Sequence, residues 1–270
     1  SALTPQEVVN NSTTYTLTYA TTGSDTGSAP AAKTGNGLIP LDGNTGNLVK
    51  AGHTFSGWAT SAGQTTAISG SYNLTANTTL HPVWTPNTYT VTYEEHGGST
   101  VADGSFTHGG SLTYPTAPTL NGYTFNGWFL AANGGTAQSA SSVAAGNASI
   151  TLHAQWSLTP YPITYDTHGG SSVADGSYTI GSTVTLPSSP SRDGHTFDGW
   201  FIAATGGSPL GATYAPPSTG PITLHAQWTP NTYTVTYEEH GGSSVADGSF
   251  THGGSLTYPT APSRSGYTFN

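Results

Sequence analysis

Ten histidines and a recurring pair of glutamates are the residues of this 270-residue chain whose types suit chemistry. A zinc site needs three or four ligands to converge, and short His-to-His spacings are its usual sequence sign. No His-x-His or His-x3-His pair occurs. His153 and His225 alternate onto the outward side of an expected strand. The histidines therefore read as repeated polar surface residues, with no metal and no cofactor expected. Glu94 and Glu95 with Asp103 offer carboxylates of the kind that flank a glycosidic bond in hydrolases. The set recurs as Glu238, Glu239 and Asp247, but Asp166-Thr167 replaces the glutamates in between. A dyad copied into successive small units, and lost from one, reads as a solvated turn. Gly97-Gly98 and Gly109-Gly110 lack the spacing and the following helix of a phosphate loop. No catalytic residue is expected, and nothing argues for an enzyme. Lys–Asn cross-links of the kind found in surface stalks have no lysine after Lys50 to form from.

The elements around these residues repeat. A Gly-aromatic-Thr-Phe-x-Gly-Trp segment is followed by a Thr-Leu-His strand that ends in a second Trp. The pairs are Gly122 to Trp128 with Thr151 to Trp156, Gly194 to Trp200 with Thr223 to Trp228, and, more loosely, Gly52 to Trp58 with Thr79 to Trp84. These hold all six tryptophans. Each pair reads as the core clasp of a small β-module, built on Trp58 and Trp84, on Phe125, Trp128 and Trp156, and on Phe197, Trp200 and Trp228. Each module opens on an alternating strand such as Tyr89-Thr90-Val91-Thr92-Tyr93, the period of a half-buried strand. Trp128 is out of phase with Tyr123 and Phe125. Either Gly127 marks a bulge that returns Trp128 to the core, or Trp128 covers the other face. Ser139 to Ala145 has room for a turn or two of helix, but Pro216-Pro217 at the equivalent place argues against a shared helix.

Tyr89, Tyr161 and Tyr233 follow one another at 72-residue intervals. The spacing divides the chain into a linker at 1–14 after a preceding module, a divergent module at 15–86, modules at 87–158 and 159–230, and the first half of a fourth at 231–270. Residues 231–262 repeat 87–118 with one change, Thr100 to Ser244. The half-module lacks its Gly-Trp and last strand. The expectation is that the natural chain continues, or that another subunit supplies the missing strands. Short Pro-containing linkers should restrict rotation between modules, and an elongated array is expected.

Composition narrows the partners. Charged residues make up 6% of the chain, against roughly 25% in ordinary globular proteins. Aromatics reach 11% at fixed positions, unlike disordered chains, which have few. The only basic residues are Lys33, Lys50, Arg192 and Arg264, and they form no patch, so nucleic acid and anionic membranes are disfavoured. No apolar run approaches the ~20 residues of a membrane span. Cysteine is absent, which removes disulfide frames and thiolate metal sites. Protonating the ten histidines would cancel the formal charge of −9, and self-association is expected toward the pI of 5.4. The joint pattern of alternating strand, Gly-Gly turn, Pro-x-x-Pro, Gly-Tyr-Thr-Phe-x-Gly-Trp and Thr-Leu-His-Ala-Gln-Trp resembles the Listeria–Bacteroides repeat, a family that includes the B repeat of internalin B. The resemblance implies tandem, mostly β, β-grasp-like modules on a bacterial surface or secreted protein. It carries no catalytic residue. Asn often precedes Gly-Gly in that family, where His96, His168 and His240 stand here. The implied role is a non-enzymatic extracellular stalk or adhesin spacer, touching its own neighbouring modules; a second structural reading has copies of the chain packing laterally or end to end into a filament. The alternative is a module that binds a glycan or a host protein.

Overall fold

A computed structural model describes residues 13–270; most of the expected linker at 1–14 lies outside the described residues. The first repeat holds β1 (Tyr15–Tyr19), β2 (Lys33–Gly35), β3 (Gly37–Pro40), β4 (His53–Ala59), β5 (Ser71–Leu74) and β6 (Thr78–Pro86). The second holds β7 (Thr88–Glu94), β8 (Gly104–Thr107), β9 (Tyr123–Phe129), the short helix α1 (Ala140–Ala144) and β10 (Ile150–Leu158). The third holds β11 (Tyr161–Asp166), β12 (Gly176–Tyr178), β13 (Val184–Thr185), β14 (His195–Phe201), β15 (Thr213–Tyr214) and β16 (Ile222–Pro230). A final antiparallel pair follows, β17 (Thr232–Val235) with β18 (Gly248–Thr251).

The three repeats share one topology. Their four-stranded sheets run β2-β1-β6-β4, β8-β7-β10-β9 and β12-β11-β16-β14. The first strand of each repeat is antiparallel to its second and parallel to its last. A parallel pair needs a long crossover rather than a hairpin, and here the third strand and the loops around it make that crossing. The result is a tandem, β-grasp-like array of sheets, as the repeat pattern implies.

Alternation explains which face is dry. Leu17 and Tyr19, Val91 and Tyr93, and Ile163 and Tyr165 are buried from the first strands; Leu80, Leu152 and Leu224 join them from the last. Thr151, His153 and Gln155 take the opposite side of β10 from Leu152 and Ala154. Burying a side chain such as Leu152 contributes about 1.5–3 kcal/mol.

The cover over each sheet varies. In the second repeat it is α1, which buries Val143 and Ala144. Its start is capped by Ser139, whose hydroxyl accepts from the Ser142 N–H at 3.1 Å. In the third repeat Pro216-Pro217 withdraws the amides a helix would need, and Val184–Thr185 instead pairs with Thr213–Tyr214. The first repeat uses β3 against β5. β8 stops at Thr107, and Gly109, two residues on, takes a φ of 70°.

By contacts the chain forms two compact units. One contains the described residues up to Leu120 and Phe125–Trp156; the other contains Asn121–Thr124 and Ser157–Asn270.

Candidate functional site

The clasp is a stack built around phenylalanine rather than a direct pair of tryptophans. In the second repeat Phe125 lies edge-on to Trp128 at 5.3 Å and tilted against Trp156 at 5.4 Å. Phe197 bridges Trp200 and Trp228 at 5.6 and 5.4 Å, and Phe55 bridges Trp58 and Trp84 at 5.1 and 5.9 Å. Of the two bulge readings, the structure takes the first. The pairing slips one residue between Phe55 and Gly57 and between Phe197 and Gly199. Gly57, Gly127 and Gly199 have φ of 131°, 118° and 129°, a region that side chains other than hydrogen avoid. The slip turns the next ring inward at Trp58 and Trp200, 2% and 3% exposed, and Trp128, which follows Gly127, is likewise 3% exposed. A tyrosine of the first strand closes each stack: Tyr19 on Trp58 and Tyr93 on Trp128 at 4.6 Å, and Tyr165 on Trp200 at 5.0 Å.

The second tryptophan of each pair is half-buried and fastens a loop. Trp156 Nε1 donates to the Glu95 carbonyl and Trp228 Nε1 to the Thr167 carbonyl, both at 2.9 Å. Trp84 Nε1 donates to the Thr22 carbonyl at 3.3 Å. The indole rings lie where a side chain on Gly98 or Gly170 would stand, so the second glycine of the turn must be small.

The residue before Gly-Gly has its own requirement. His96, His168 and His240 have φ of 49°, 45° and 49°. Asn, Asp and His are the non-glycine residues most at home there. One backbone demand accounts for histidine standing where asparagine is expected.

These turns meet the histidines of the last strands, which the sequence spacing did not suggest. His96 Nε2 is 2.9 Å from His153 Nδ1, and His168 Nε2 is 3.1 Å from His225 Nδ1. Both ring pairs stack with centroids 5.2 Å apart. Parallel pairing does this: Glu94 aligns with His153, and Asp166 with His225. The separation is 57 residues in both repeats, which follows from the repeat and does not by itself mark a contact. In the third repeat Asp166 Oδ2 stands 3.5 Å from His168 Nε2 and 3.6 Å from His225 Nδ1. Asp166 Oδ1 accepts the His168 N–H at 3.0 Å, and that bond, ahead of the nearby imidazoles, lowers the Asp166 pKa. Among the described residues this is the one trio of metal-ligand type to converge. In the first repeat, His81 Nδ1 meets the Thr22 hydroxyl at 2.8 Å instead.

The other carboxylates serve the backbone. Glu95 accepts the Val101 N–H and Glu239 the Val245 N–H, both at 2.7 Å. The Val245 bond lowers the Glu239 pKa. Asp103 accepts the Tyr93 N–H at 3.2 Å. Lys33 pairs with Asp42 at 2.8 Å and donates to the Pro40 carbonyl.

Four stretches, 15–82, 89–155, 161–227 and 233–270, match the Listeria-Bacteroides repeat domain. The chain belongs to that family. Among curated relatives it is 30% identical over 94% of its length to a "Putative Gly-rich membrane protein" of Evansella cellulosilytica, covering 31% of that protein. It is 31% identical over 71% of its length to a "Putative membrane protein" of the same organism, covering 28% of it. It is 33% identical over 75% of its length to "Internalin H" of Listeria monocytogenes, covering 35% of it. The chain thus spans roughly a third of these relatives, as those three shares give.

Proposed function

We propose that this chain is a non-enzymatic structural repeat segment of a bacterial cell-surface or extracellular protein, serving as a stalk or adhesin spacer. The observation that carries the reading is the placement of the tryptophans. Three are buried, and the other three are half-covered with their N–H groups tied to loop carbonyls. Aromatic faces that recognise sugars or proteins must be open to them. The three cores of the described residues bury apolar and aromatic side chains and no charged one, which also suits a structural role. Relatives described as membrane proteins and as an internalin support a surface location. Among the described residues no helix is long and apolar enough to cross a membrane.

The alternative reading, a glycan- or host-protein-binding module, draws on the aromatics that are exposed. These are Tyr123 and, beyond the third sheet, Tyr233, Tyr258, Tyr267 and Phe269. A glycan array and a host extracellular-matrix protein array probed with the whole chain test the choice. The spacer reading expects no saturable binding. A specific hit weakened by Tyr123→Ala would overturn it in favour of the alternative.

A further inference from the structure

We propose that Asp166, His168 and His225 form a binding site for a divalent transition-metal ion of the zinc type. The three ligand atoms stand 3.1, 3.5 and 3.6 Å apart. Ligands about 2.0–2.1 Å from a tetrahedral ion are separated from one another by about 3.3 Å. The trio therefore already has the spacing of one face of a zinc tetrahedron, and the fourth corner is left to water. Two imidazoles and one carboxylate suit Zn²⁺, Ni²⁺ or Cu²⁺. A single carboxylate falls far short of the six to eight oxygens that Ca²⁺ requires.

The site is also held in place before any ion arrives. His168 sits in the left-handed region, and its ring stacks on that of His225 from β16. The His168 N–H fixes one carboxylate oxygen of Asp166 and leaves the other facing the rings. Bonds of this kind orient metal ligands and raise affinity. Partial shielding helps: the side chains of His225, His168 and Asp166 are 20%, 37% and 44% exposed. The second repeat has the two nitrogens but not the trio. There Glu94 replaces Asp166, and among the described residues no third ligand converges on His96 and His153. Among the described residues, one such site is the expectation. An ion there would tie the turn after β11 to β16, joining the segment that opens the repeat to the strand that completes it.

Isothermal titration calorimetry of the untagged chain with ZnCl₂, and separately with CaCl₂, tests this. One saturable Zn²⁺ site is expected, with no Ca²⁺ binding. His225→Gln and His168→Asn should each weaken Zn²⁺ at least tenfold; asparagine keeps the backbone conformation at 168. His195→Gln, which alters a ring packed on His252 instead, should leave binding unchanged. Far-UV circular dichroism confirms that each variant is folded, and if His225→Gln is not, His168→Asn decides. Co²⁺ in place of Zn²⁺ should show tetrahedral d–d bands that both variants lose. Absence of saturable Zn²⁺ binding, binding unaffected by both substitutions, or loss only in His153→Gln would overturn the proposal.

Discussion

At the scale of single residues, the inward tryptophan holds each repeat together. Trp128 packs against Tyr93 and Phe125 and is almost wholly buried. Trp128→Ala should cost ~3–5 kcal/mol, the range for buried aromatics truncated to alanine. Urea unfolding monitored by hydrogen exchange in β7 and β10 would show it. Tyr93 gives a pH signature. Burial, and then the neighbouring Tyr114 and Asp103, push its pKa up to about 12, and its hydroxyl has no hydrogen-bond partner. Below the ordinary tyrosine value near 10, folded and unfolded chains both keep the proton, and stability is undiminished. Above it the unfolded chain releases the proton first, so stability falls as pH rises through 10 toward 12. Denaturant midpoints should drop across that window, and Tyr93→Phe should flatten the drop. The tryptophans were legible in the sequence because they recur in fixed motifs. The histidine contacts were not, because pairing across a parallel crossover joins residues 57 apart, which no local period reveals.

At the scale of elements, the Thr-Pro-Asn connections work as joints. Asn87 donates its N–H to the Gly52 carbonyl at 2.8 Å and accepts the His108 N–H at 2.8 Å. The Thr54 hydroxyl holds the Asn87 side chain at 2.6 Å, and His53 packs edge-on to His108. Asn231 repeats the arrangement with Gly194, His252 and Thr196. Gly52 has a φ of 70°, and an added methyl would run into the His108 ring. Gly52→Ala should therefore loosen the joint between the first two repeats. Hydrogen exchange at Asn87 and His108 should quicken severalfold while Leu80, deep in β6, keeps its protection. Alternating strands were readable from period-two patterning, and a bulge at Gly127 was one of the two readings that the phase of Trp128 allowed. The β3–β5 and β13–β15 pairs were not readable. They lie in Gly-, Ser- and Pro-rich stretches where pairing partners are set by the sheet beneath rather than by local propensity. The short helix was visible as far as Ser139 and its neighbours, and prolines correctly marked where it would not recur.

At the scale of the whole molecule, the described residues build three small cores without cysteine and with few charges, by repeating one aromatic arrangement. The spacer role requires those rings to be structural rather than ligand-facing. Acrylamide quenching of tryptophan fluorescence in the native chain measures this directly. Half of the six tryptophans should emit in the blue and resist quenching, and the rest should be only partly accessible. Quenching of all six at the rate of the urea-unfolded chain, with red-shifted native emission, would contradict the buried clasp and the spacer role built on it.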